Sequence, residues 1–76
     1  DNRTFIEINM QNTGHVELKL FNILGQEVAT LGNEILHQGK HRIDVKARAN
    51  TRLGYGQYIY RINTQGQFYS RSILIK

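Results

Sequence analysis

The feature that most constrains this chain is a two-residue hydrophobic period that recurs in short blocks. Ile6, Ile8 and Met10 share one face, as do Val16, Leu18 and Leu20, then Ile43 with Val45, then Tyr58, Tyr60 and Ile62. In the last block Tyr69, Arg71, Ile73 and Ile75 alternate against Phe68, Ser70, Ser72 and Leu74. Successive side chains of an extended chain point to opposite faces, so each block buries an apolar stripe only as a strand. Breaks fall at Asn12-Thr13-Gly14, at Gly32-Asn33, at Gly39 and from Gly54 to Gly56. Short strands between glycine turns predict an all-β fold, a small antiparallel sandwich or barrel, with residues 1–76 as a single domain.

One break is a repeated unit. "LFNILGQEVATL" holds Asn22-Ile-Leu-Gly25-Gln26, and "RINTQGQFYS" holds Asn63-Thr-Gln-Gly66-Gln67. Asn favours the first position of a type I turn, and Gly the fourth, where positive φ closes a hairpin with a bulge. Gly25 and Gly66 are therefore expected in two equivalent hairpin turns. A phosphate-binding loop would need further glycines at fixed spacing, or Gly-Lys-Ser/Thr, and neither is present. A helix competes only in "QEVATLGNEILHQG", where Val28, Leu31 and Ile35 have helical spacing. Gly32 in its middle costs about 1 kcal/mol relative to alanine, which favours a strand followed by a loop.

A domain of 76 residues hides only about 60% of the surface that its unfolded chain exposes. So thin a core makes a deep, dry catalytic pocket hard to build, and favours a binding or structural module over an enzyme. With no cysteine there is no disulfide, thiolate metal site or cysteine nucleophile. No run approaches the ~18 apolar residues of a membrane span, and no signal peptide is visible. The start at Asp1, without methionine, reads as that of a processed, excised or truncated product.

Ten Lys and Arg against six Asp and Glu give a formal charge of +4 and a pI near 9.8. Such a balance suits nucleic acid, an acidic glycan or an anionic surface, but the cations form no run, as on a solvated sheet face. His37 and His41 have the spacing of two zinc ligands on a helix, yet Gly39 between them disfavours the helix and His15 is distant, so no metal site is expected. Ser70 and Ser72 lie in a strand-like run without a sharp nucleophile turn, and the only aspartates are Asp1 and Asp44, so no catalytic triad is expected. "LGYGQYIY" meets the RNA-recognition octamer at Gly54, Tyr55, Gly56 and Tyr60 but misses it at Leu53, Gln57 and Tyr58. That fold needs two helices behind its sheet, so nucleic acid is not expected as a partner and the tyrosines are read as core or cross-strand residues.

In order along the chain, "GHVELKLFNILGQEVATL", "GKHRIDV", "LGYGQYIYRI" and "YSRSILIK" resemble the signature segments of one family. It is the type A C-terminal sorting domain of the type IX secretion system, carried by cargo proteins of Bacteroidetes and their relatives. "KARANT" is longer and more basic than that family's usual connection. The resemblance implies an immunoglobulin-like antiparallel β-sandwich of about seven short strands, with no enzymatic activity and no cofactor. It implies an exported domain read by the outer-membrane secretion machinery, then removed by a sortase-like peptidase while the cargo is attached to anionic lipopolysaccharide at the surface or released. On this reading the recognised residues are Gly56, Tyr58, Tyr60, Arg71, Ile73, Ile75 and Lys76, with Gly25 and Gly66 as structural turns. Two alternatives are kept: a self-assembling extracellular subunit that uses its free strand edges, and a glycan- or polyanion-binding accessory module.

Overall fold

The computed structural model describes residues 3–76; Asp1, one of the two aspartates weighed for a triad and the start of the chain, lies outside the described residues. Six antiparallel strands and one short helix follow in the order β1 (Phe5–Met10), β2 (Gly14–Asn22), β3 (Glu27–Leu36), β4 (Gly39–Asp44), α1 (Val45–Ala49), β5 (Gly56–Thr64) and β6 (Gln67–Ile75). They form two sheets, β1-β4 and β3-β2-β5-β6. The chain crosses between the layers after β1, β3 and α1, which makes a sandwich.

The alternating residues face one another across the layers. Ile6, Ile8 and Met10 of β1 and Ile43 of β4 bury against Val16, Leu18 and Leu20 of β2, with Leu31, Val45 and Ile75 completing the core. Tyr58, Tyr60 and Ile62 pack against its margin. No buried side chain among the described residues is polar or charged, so the core has no polar group to satisfy and rests on apolar burial.

Three local outcomes differ from the expectations. First, Gly32-Asn33 does not break the chain: β3 runs through it, and Lys19 pairs with Thr30 while Leu18 pairs with Gly32, leaving Leu31 as an extra, bulged residue. The bulge turns Leu31 into the core, and the loop expected after a shorter strand is strand instead.

Second, Val45 does not simply extend a strand. Its N–H still donates to Thr4 O (2.9 Å), but it also opens α1, capped by Asp44, whose carboxylate accepts from Ala47 N (3.2 Å). Asn50 ends the helix in the left-handed region. Third, the two Asn-x-x-Gly-Gln units are not equivalent. Asn22 to Gly25 make a turn closed by Gly25 N to Asn22 O (3.0 Å), with Gly25 at φ +85°. In the second unit Thr64 already pairs with Gln67, so only Gln65 and Gly66 turn, both at positive φ. That is the two-residue geometry of a type I′ hairpin, and Asn63 belongs to the strand.

A Cβ at Gly25 or Gly66 would meet nothing within 4 Å, so a side chain there is opposed by backbone conformation alone. Gly25→Val and Gly66→Val are each expected to lower stability by about 1–2 kcal/mol. Urea unfolding checks this; variants as stable as the parent would contradict the positive-φ geometry of these turns.

Candidate recognition surface

The β5-β6 hairpin carries most of the residues singled out from sequence. Its register sets Gly56 opposite Ile75, Tyr58 opposite Ile73, Tyr60 opposite Arg71 and Ile62 opposite Tyr69. These pairs lie on the sheet's inner face. Ile75 is fully buried, Ile73 and the two tyrosines are half-buried, and Arg71 and Lys76 are exposed. Ile75 therefore anchors the strand from within, and a receptor meets its side chain only if the domain opens. Tyr58 is fixed by donating its hydroxyl to Gly54 O (2.9 Å). With Tyr58 and Tyr60 against the core and Tyr55 on the preceding loop, the aromatic residues do not share one open face for stacking bases.

Near the end of β6, Lys46 of α1 donates to the main-chain oxygen of Lys76 (2.5 Å), and its ammonium lies 5.9 Å from the Tyr55 ring centroid. Several other cations lie on the outer surface in local contacts, as expected of solvated faces. Arg42 stacks over Phe5 (3.9 Å) and Arg61 over Phe21 (4.7 Å), Lys19 pairs with Glu27 (3.3 Å), and Arg48 pairs with Glu34 (2.8 Å). The Arg48 pair bridges α1 to β3 beside Gly32. Arg71 has no such partner among the described residues.

Beyond Arg71 the inner face is open. The helix covers β3 and the β1-β4 pair covers the centre, but Gln67, Tyr69 and Arg71 at the turn end of β6 stay exposed. Between them and the edge of β1 runs a groove of about 350 Å³, with Tyr60, Ile62, Tyr69 and Arg71 on one wall and Glu7 to Asn12 on the other.

The opposite feature is a rigid protrusion. Asn22 Oδ1 accepts from both Leu24 N and Gln26 N (3.0 Å each), its amide donates to Gln26 Oε1 (2.9 Å), and Asn22 N donates to Gln26 O (2.9 Å). This network holds up Ile23 and Leu24, whose exposures are 70% and 79%. Sequence reasoning singled out the glycine of this turn and passed over the two apolar residues it presents. Their signal was legible as two large apolar residues at turn positions that commonly hold polar ones.

The histidine pair is a local contact. His41 Nε2 lies 2.6 Å from His37 O, and among the described residues no group of three or more His, Asp or Glu is placed to hold a metal. Excess zinc is expected to leave the thermal midpoint unmoved; saturable stabilisation abolished by a double His37→Ala, His41→Ala change would overturn that expectation.

A small β-sandwich with a half-open inner face, a structured terminal strand and a rigid apolar tip is equipped as a recognition module for another polypeptide. Residues 2–76 match the model of the secretion system C-terminal sorting domain family, and the chain belongs to that family. Neither a curated protein nor a solved structure matches it. The chain is thus a non-catalytic sorting domain of the type IX secretion system, which directs export of a cargo to the cell surface or medium through recognition by that system's machinery.

Proposed function

We propose that the machinery reads the folded sandwich through the β5-β6 hairpin, with Arg71 and Lys76 as exposed contacts and Gly56, Tyr58, Tyr60, Ile73 and Ile75 holding that hairpin in shape. The observation that carries this reading is the half-buried inner face of β6, which runs from buried Ile75 to exposed Arg71 within one strand. Such a strand joins the recognised surface to the core, so only a folded domain presents it. A sortase-like peptidase then cuts the connection to the cargo, and the domain is discarded.

The test is a fluorescent cargo fused in front of residues 1–76 and behind a signal peptide, in a host with type IX export. The cargo is expected outside the outer membrane, and its mass there is expected to lack the domain. Arg71→Glu with Lys76→Glu, which leaves the core untouched, is expected to hold it in the periplasm. Export at the parent's level would remove these two side chains from the recognised surface. A secreted fusion of full mass would remove the peptidase step.

Self-assembly is favoured by a different observation: the outer edges of β3 and β6, and one edge each of β1 and β4, pair with no other strand among the described residues. It predicts large regular assemblies as concentration rises. Light scattering that stays monomeric to high concentration would sink it.

A further inference from the structure

The second layer has two strands against four in the first, and the groove beside β1 has both a backbone and a side-chain wall. The backbone wall is β1. In an antiparallel ladder, residues that exchange hydrogen bonds alternate with residues whose N–H and C=O point away. Val45 N donates to Thr4 O, and the register continues as Ile6 with Ile43 and Ile8 with His41. Thr4, Ile6, Ile8 and Met10 therefore direct their backbone groups to β4, and Phe5, Glu7 and Asn9 direct theirs to the free edge.

The side-chain wall is the open inner face described above: Tyr60, Ile62, Tyr69 and Arg71, across a groove of about 350 Å³. A strand hydrogen-bonded to the free edge of β1 would lie over β6 and cover that face. Its inward side chains would meet two tyrosine rings and an isoleucine, with one guanidinium among them. Arg71 has no ion pair among the described residues, and the side chains of Glu7 and Asn9 alternate with the inward Ile6, Ile8 and Met10, so the guanidinium is the charge that the inner wall presents.

We infer that this groove accepts one extended strand from another protein, apolar at alternate positions and carrying a carboxylate opposite Arg71. The edge of β1 supplies the hydrogen bonds and the inner face of β5-β6 supplies the selectivity, which is recognition by strand addition. The inference rests on the sorting-domain reading, since it gives the machinery's contact a place and a chemistry. The strand that completes the sandwich belongs to the reader.

The probe is the peptide acetyl-Val-Thr-Glu-Thr-Val-Thr-amide, titrated into the nitrogen-15-labelled domain. Saturable shifts are expected at the amides of Glu7, Asn9, Tyr69 and Arg71, with slowed hydrogen exchange at Glu7 and Asn9. Replacing the peptide's glutamate with lysine is expected to weaken binding about fivefold, and Arg71→Glu to restore the lysine peptide. Glu7→Pro removes an N–H that points away from β4, a position where an edge strand tolerates proline, so it is expected to keep the thermal midpoint and lose binding about tenfold.

Shifts confined to the edges of β3 or β6, or equal binding by Glu7→Pro, would overturn the inference. So would a parent chain that dimerises through the edge of β1, since the groove would then belong to a second copy. In the export assay, Glu7→Pro is expected to strand the cargo in the periplasm; normal export would show that the machinery does not use the groove, leaving the sorting reading intact. Failure of the unaltered domain to export cargo would count against that reading instead, and the peptide titration stands apart from it.

Discussion

Replacing Ile75 with alanine is expected to destabilise the domain by about 2–5 kcal/mol and to hold a fused reporter in the periplasm. Ile75 is fully buried and pairs with Gly56 near the end of the β5-β6 ladder, one residue before the exposed Lys76. Removing its side chain leaves a cavity in a core that has ten buried apolar residues among those described. Deleting residues 73–76 goes further, because it also removes Ile73 from opposite Tyr58 and the main-chain acceptor of Lys46. Urea unfolding reads the first effect and fractionation of the reporter the second. An Ile75→Ala domain with parental stability would contradict the packing described here. A destabilised but normally exported domain would show that the machinery does not require the closed sandwich.

The second large effect is a contrast between two leucines. Leu20 has no exposure and lies between Ala29 of β3 and Tyr60 of β5, whereas Leu24 sits four residues later on the turn and is 79% exposed. Leu20→Ala is expected to cost about 2–5 kcal/mol, which for a domain of this size lowers the thermal midpoint by roughly 10–30 °C. Leu24→Ala is expected to change stability by less than about 0.5 kcal/mol. If the rigid tip is part of what the machinery grips, only Leu24→Ala separates export from folding: the domain stays as stable as the parent while secretion falls. Comparable loss of stability in both variants would mean that the tip packs against the domain.

These contrasts follow how much of the fold was legible. The alternating blocks are legible as strands because a pleated chain has a period of two, and Ile6, Ile8, Met10, Val16, Leu18 and Leu20 all turn that stripe to the core. The short helix is hidden in the pattern, although Asp44 ahead of Lys46-Ala47-Arg48-Ala49, with Asn50 behind, is a cap-to-cap signal. The alternation of Ile43 with Val45 masked it, since Val45 serves the core from the first position of the helix. At Leu31 the bulge shifts the pattern by one residue, so a strict period of two cannot follow the chain through Gly32. Family membership was legible because ordered segments such as "LFNILGQEVATL" carry turn chemistry and strand pattern together.

By itself, the sequence determined the strands, the glycine turns and the family, because strand period and positive φ are local demands that each residue imposes on its own neighbourhood. Only the tertiary structure decided which strand lies beside which, and hence where the sandwich is left open. Tyr69 and Arg71 continue the inward stripe of Ile73 and Ile75, yet the first pair is exposed while Ile73 is half-buried and Ile75 fully so. The difference lies across the interface: Lys46 of α1 reaches Lys76 at one end of β6, while the groove beside β1 leaves Tyr69 and Arg71 open at the other. Burial depends on what stands across the interface, and no residue encodes that alone.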